Sequence, residues 1–445
     1  MLKVAEQLLA AAKRCGADAA DVLMFEGDSL EVGVRLNEIE KIKQAREKHL
    51  GLRVFVGDRS AVTSSADFSR DSLEKLAADT CALARALASD PHAGLPDPAA
   101  LAKDLPEMNL FDPAVAEIDA DEAVDMAKQA ESAAMHADSR ITNSEGAEVD
   151  RSSADVLYAS SAGFHGTYRT SSLSLSVMPV ASDGNGMQRD YWYSAQRYRN
   201  KLETPEAIGR KAAQRAARRL GGRSIPTCEV PVVFDPEMAS SLIRHLASAV
   251  SAYAIYKGVS FLGDKLGARI APDFVSIVDD GRLAGGLGSK PFDGEGVATR
   301  RTSVVESGVL RSFLCDTYSG RKIGQASTGN ASRSVGSAPH VAPTNMYLTP
   351  GTASPQEIIA SVKSGLYVTE LIGFGVNATN GDYSRGAVGI WIENGALAYP
   401  VEEITVAGNL LQMFEQIEVI GSDLDLRSNV RAPTLKVARM TVAGQ

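Results

Sequence analysis

Two long runs of alternating apolar and polar residues constrain this chain more than any other feature. LEVGVRLNEIEKI and HLGLRVFVG lie in an extended run from about 19 to 66. Their period of two is that of a strand with one face buried. A second extended run covers 140–198. Helical spacing flanks both: 2–14 and 71–89 bracket the first, 120–137 and 204–220 bracket the second. The first closing helix must stop before Pro91, and the Pro- and Ala-rich stretch 91–114 reads as a connection. Helix, meander, helix, stated twice, hints at an internal duplication, although residue identity between the two copies is slight.

The second half opens differently. EVPVVF reads as a strand and feeds a helix predicted over 235–258, with Asp235 as N-cap, Pro236 at the first helical position and Gly258 past the end. Lys257 suits the negative end of its dipole. Met238, Leu242, Leu246, Val250 and Tyr253 recur every three or four residues and define a core face. The helix carries one imidazole, His245, and its neighbours at helical spacing (Ser241, Leu242, Ser248 and Ala249) add no metal donor. Arg244 beside it would repel a cation. Strands dominate afterwards. Hairpins are expected to turn at Ser307-Gly308 and Asn394-Gly395, and Ser354 to Glu357 has capping-box spacing in front of a short helix that Gly365 can end. Three Gly-rich stretches, 281–296, 324–337 and 373–389, read as loops. The expected class is α+β: an N-terminal α+β domain with helices on antiparallel sheet over 1–222, then a mainly β C-terminal domain with a long helix over 228–445. GGRSIPTC marks the boundary.

Bulk properties exclude several functions. A formal charge of −9 argues against nucleic acid as the main partner, because phosphate binding relies on excess Lys and Arg. The amino terminus alternates charged and apolar residues, unlike a secretory signal, and no run approaches the roughly 18 apolar residues of a membrane span. Four cysteines lie far apart with no CxxC pair. A cytoplasmic protein with buried thiols is the expectation.

The short motifs are weak individually. Gly373 to Ala378 fits GxGxxA, but TNGDYSRG follows where a dinucleotide site needs a helix. Gly285 to Lys290 lacks the order of a phosphate loop, and no GxSxG elbow exists. The six histidines are too dispersed for a local ligand pair. The helix at 204–220 has a basic face of Arg210, Lys211, Arg215, Arg218 and Arg219, suited to a phosphate or acidic partner or simply solvated beside nearby acids. Asp382, Tyr383, Ser384 and Arg385 form the densest polar cluster in a predicted loop. Arg385 offers a rigid donor fork to a peptide carboxylate or amide, or an internal partner to Asp382. Asp293, Glu295, Arg300 and Arg301 pose the same choice, with cross-strand ion pairs the simpler expectation.

Longer phrases are more specific. KGVSFLGDKLG (257–267), IVDD (277–280), LGSKPFDGEGVATRR (287–301), GLYVTELIGFGVNATNGDYSRGA (365–387), WIENG (391–395), YPVEEITVAGNL (399–410), GSDLDLR (421–427) and APTLKVARMTVAG (432–444) occur in order. On these the chain resembles the TldD/PmbA family, and within it the PmbA (TldE) branch. The resemblance is strong over 228–445 and extends to the first half in layout. The TldD branch bears HExxxH on the helix before the KGxS phrase, with a later cysteine as a further zinc ligand. Anchoring on Lys257-Gly258 puts that motif near 243–248, where this chain has Ile243, Arg244 and Ser248. No cysteine follows Cys315.

The resemblance therefore implies a non-catalytic subunit of a heterodimeric zinc metallopeptidase. No cofactor is expected on this chain, and zinc is expected in a TldD-type partner. Extended or unfolded peptides and leader peptides are the implied substrates; a homodimer is expected when the chain is isolated, because closed two-fold pairs are the commonest assembly. Two other readings stay open: a peptide-binding scaffold or regulatory protein without protease activity, and an independent hydrolase with an unrecognised nucleophile.

Overall fold

The computed structural model describes residues 1–444. Helix α1 (Leu2–Arg14) leads into strands β1 (Ala19–Arg35), β2 (Glu38–Val56) and β3 (Arg59–Ser65), followed by α2 (Arg70–Ala86). After α3 (Pro113–Ala116), α4 (Ala120–Ala137) precedes β4 (Ile141–Ser160), β5 (His165–Ser182), β6 (Met187–Arg189) and β7 (Trp192–Gln196), and α5 (Pro205–Ala217) closes the unit. The helix–meander–helix plan thus occurs twice, as the alternation predicts. The two meanders fuse into one seven-stranded sheet, because β1 pairs antiparallel with β4 from Asp21↔Ser160 to Val34↔Ala147.

Strand length explains the layout. Seventeen residues of β1 are enough to serve two cores on one face. Val22 and Met24 pack with α1 and α2, while Leu30, Val32 and Val34 pack with α4 and α5. These positions share one parity, so the two helix pairs lie side by side on the same face of the sheet. Near the α1–α2 end, the opposite parity (Asp21, Leu23) faces the C-terminal half.

There, β8 (Cys228–Phe234) runs into α6 (Pro236–Ala249) and α7 (Ala252–Tyr256). A small sheet holds β9 (Ile277–Asp280), β10 (Arg301–Glu306), β11 (Val309–Leu310), β14 (Met346–Leu348) and β19 (Val430–Arg431). Between its strands lie α8 (Thr317–Lys322) and the ribbon of β12 (Ala331–Ser332) with β13 (His340–Val341). Then come α9 (Pro355–Ala360), β15 (Ser364–Ile372), β16 (Asp382–Glu393), β17 (Ala396–Asn409), α10 (Leu410–Glu415), β18 (Ile417–Ile420) and β20 (Leu435–Ala443). The order β17-β16-β15-β8-β20 closes on itself through the β17–β20 pairing, which makes a barrel, with β18 added on β20. Both predicted hairpin turns form, with positive φ at Ser307, Gly308, Asn394 and Gly395, as a tight right-twisted hairpin requires. The Ser354–Glu357 capping box is present.

Three expectations need correction. The helix predicted over 235–258 breaks after Ala249. Ser251 pairs with the extended segment at Leu314, whose N–H donates to Val250 O while Ala252 N–H donates to Leu314 O. A neighbouring backbone therefore takes over the hydrogen bonds that would have continued the helix, and α7 sets off in a new direction. Tyr253, expected on the core face, is consequently 54% exposed. The short helix α9 gives way at Ser361, and Gly365 lies inside β15. The last eight residues of the loop expected over 373–389 belong to β16.

The halves are joined by buried charge. Arg53 on β2 bonds Asp21 on β1 and reaches Glu295 at 3.0 Å, while Arg333 holds the other Asp21 oxygen at 2.6 Å. Tyr158 donates to Asp21 at 3.1 Å. Burial opposes the charge on Asp21, but Arg333 and Arg53 outweigh it and hold its carboxyl below the ordinary 3.8. Glu295 also accepts Thr317 N–H at 2.8 Å. The expected pairing within 293–301 is thus replaced by pairing across the halves: Arg300 donates to Ser327 O and Arg301 is exposed. The basic helix behaves similarly. Arg215 is buried against Asp190 (3.2 Å) and Asp235 (3.5 Å), and Arg219 pairs with Glu370 at 2.6 Å. Only part of that face is solvated.

Arg53→Ala leaves Glu295 buried without its cation. We expect a loss of about 3–5 kcal/mol in denaturant unfolding at neutral pH. A loss below about 1 kcal/mol, the worth of a surface pair, would remove this network as the joint. Because Asp21 is held below its ordinary value, its contribution is present above pH 3.8 and fades as pH falls through the lowered value.

Candidate functional site

Helix α6 is fixed at its start by Asp235, whose carboxylate accepts Met238 N–H at 2.9 Å, with Pro236 at the first position. Burial pushes the Asp235 carboxyl up to about 6, against the opposing pull of Arg215. Leu242, Ile243 and Leu246 enter the barrel-side core. The other face carries Ser241, Arg244, His245 and Ser248. Both serines spend their hydroxyls on their own helix, Ser241 on Met238 O and Ser248 on Arg244 O. Arg244 donates to Ser428 Oγ at 3.2 Å.

The three positions matched to the resembled motif thus hold an apolar core side chain, a guanidinium and a self-bonded hydroxyl. None is an imidazole, thiolate or carboxylate, the groups that hold zinc. Among the described residues, no three His, Cys, Asp or Glu side chains group closely enough to hold a metal ion. Cys315 is buried, and that burial pushes its thiol up to about 12, so it is not a thiolate near neutral pH.

His245 faces β16. Its ring meets Tyr383 edge-on at 6.2 Å between centroids. Alternation along β16 sets Tyr383 and Arg385 on one side and Asp382 and Ser384 on the other, so these four residues do not converge. Tyr383 is 1% exposed, and burial pushes its hydroxyl up to about 12, with Arg385 acting against the shift. Arg385 Nη2 donates to Leu371 O at 3.0 Å. Asp382 accepts from Asn380 at 2.7 Å and does not pair with Arg385. Three buried polar atoms in this neighbourhood have no partner: His245 Nε2, Tyr383 Oη and Arg385 Nε. Burial lowers the His245 pKa first, and Arg385 and Arg244 lower it further, so the imidazole favours its neutral form. One residue along from Arg385, Gly386 pairs with Ile372, which is 53% exposed, and Phe374 beyond it is fully exposed.

The remaining motifs have structural places. Gly373 to Ala378 lies in the turn between β15 and β16, where no helix follows. The 285–290 loop is closely fitted: a Cβ on Gly288 would lie 2.0 Å from the Thr344 carbonyl oxygen, and Lys290 Nζ turns inward to Ala331 O.

Residues 227–444 match the PmbA/TldA metallopeptidase C-terminal domain, 113–220 its central domain and 20–84 its domain 1. With the closed barrel, these matches define a metalloprotease-type protein. The chain belongs to the PmbA/TldD family. It is 37% identical over 429 residues to metalloprotease PmbA of Escherichia coli O157:H7, covering 96% of this chain and 93% of that one. The PmbA homolog of Haemophilus influenzae is 36% identical, over 97% of this chain and 94% of that relative. The crystal structure of TldE from Thermococcus kodakarensis superposes with a TM-score of 0.91 over 99% of this chain and 100% of that one. At 21% identity that likeness concerns the fold.

Tyr383→Phe removes a buried hydroxyl that bonds nothing. We expect unchanged or slightly higher stability by thermal unfolding. A loss above about 1 kcal/mol would reveal a partner for the hydroxyl and contradict the geometry.

Proposed function

We propose that this chain is the non-catalytic, PmbA/TldE-type subunit of a heterodimeric zinc peptidase, paired with a TldD-type partner. The observation that carries this reading is α6 itself, where the buried Ile243 and the exposed Arg244 and Ser248 stand at the resembled motif. A catalytic zinc needs three protein ligands and an open position. Those side chains do not fit a zinc ion, and the hydrolytic step is assigned to the partner's metal. The chain itself completes a chamber, excludes folded proteins and supports the partner.

Extended peptides, including leader peptides, are the proposed substrates. The partly buried Arg385, on the His245 side of β16 above the buried Tyr383, is the proposed peptide contact, with Asp382 and Ser384 on the outer side of the same strand. Exposed Ile372 and Phe374 offer apolar contact beside them. In isolation the chain is proposed to form a homodimer, since closed two-fold pairs are the commonest assembly. The exposed Leu36, Ile39 and Ile42 at the β1–β2 hairpin favour such burial. We place the complex in the cytoplasm. No helix among the described residues is long and apolar enough to cross a membrane.

Cleavage of an unfolded peptide by the purified chain, by a TldD-type partner and by their mixture tests the proposal. We expect cleavage in the mixture, abolished when the partner's HExxxH is mutated, and none by this chain. Metal-dependent cleavage by this chain in isolation would contradict it.

A further inference from the structure

Besides the exposed Arg210, the basic face of α5 leaves two cations, Lys211 and Arg218, unused by the joint between the halves. They border a cavity of about 490 Å³ between α5, the start of α6, Tyr367 on β15 and the segment 423–427. Each carboxylate lining that cavity already has a donor. Asp235 holds Arg215 and Met238 N–H, and Asp425 holds Arg427 at 2.7 Å. Glu237 Oε1 accepts from Tyr191, while its buried Oε2 has no hydrogen bond and lies 3.7 Å from Arg427. Glu203 accepts the Trp192 indole N–H at 3.2 Å, and Asp423 caps Thr434 N at 3.0 Å.

Arg218 and Lys211 differ from all of these. Arg218 Nε and Nη2 are buried and bond nothing. No carboxylate among the described residues lies within ion-pair distance of either cation. Lys211 sits over the Trp192 ring, 5.3 Å from its centroid, at the cavity rim. Burial lowers the pKa of both; Arg218 and Arg215 lower Lys211 further and Arg215 lowers Arg218 further, with Glu203 opposing the shift at Lys211 and Asp190 and Asp235 opposing it at Arg218. A guanidinium fork without an acceptor, half-buried beside a second cation, is costly unless an anion completes it. Leu424 and the 54% exposed Leu426 add an apolar wall beside Tyr367.

We propose that this cavity is a binding site for an oxyanion, held by the Arg218 fork and Lys211, with any apolar body of the ligand resting on Leu424, Leu426 and Tyr367. Carboxylate and phosphate share the chemistry, since both present paired oxygens to a guanidinium. The cavity opens at the start of α6, and the proposal stands independently of the peptidase reading.

Trp192 lines the cavity, so its fluorescence reports occupancy, and a Trp391→Phe background removes the other tryptophan. The probes are inorganic phosphate, phenylacetate and the neutral isostere phenylacetamide. We expect saturable quenching by at least one anion below about 10 mM, none by the amide, and about tenfold weaker binding in Arg218→Met. Quenching by phosphate without phenylacetate assigns the site to phosphate, and the reverse assigns it to carboxylates. Lys211→Met, at the exposed rim, reads the same loss if Arg218→Met does not fold. Equal quenching by phenylacetamide, no saturable quenching by either anion, or undiminished binding in the folded variants would overturn the proposal.

Discussion

The structure depends on charge buried between its two halves. Asp21, Arg53, Arg333 and Glu295 sit where the first sheet meets the C-terminal half, with the Asp21 and Arg333 side chains wholly buried. Ions in such a place are costly unless each finds an opposite charge, and their geometry admits little slippage. The network therefore acts as a key for registry as much as a source of stability. A second set works nearer the site. Asp235 caps α6 and also meets Arg215 of α5, so one carboxylate orients a helix and ties it to the N-terminal unit.

Closure of the barrel then fixes what α6 faces. β16 is held on both sides, by β15 and by β17, so its alternation cannot shift by one residue without turning Tyr383 and Arg385 outward. His245 and Tyr383 are 138 positions apart, yet this arrangement keeps their rings at 6.2 Å. The site lies on rigid elements, with the exposed turn through Phe374 at its margin.

Much of this was legible in the sequence. Period-two alternation gave the meanders, and proline, glycine and capping residues located the helices and both hairpin turns. Two kinds of information were not legible. The break after Ala249 comes from hydrogen bonds to Leu314, a long-range partner that no local propensity encodes. The partners of Arg53, Arg215 and Glu295 likewise lie far along the chain, so a basic helix face that looked solvated turned out to be partly a joint. Asp382 to Arg385 reads as a loop in the sequence because glycines and polar residues crowd it. Reading DYSRGAVGIWI as a strand would have separated Tyr383 and Arg385 from Asp382 and Ser384 at once.

Whether this chain is catalytic depends on what α6 can hold. After equilibration with zinc and removal of the excess, elemental analysis of the purified chain should find well under one zinc per chain. One tightly retained zinc per chain, released when donor side chains of this chain are removed, would contradict it.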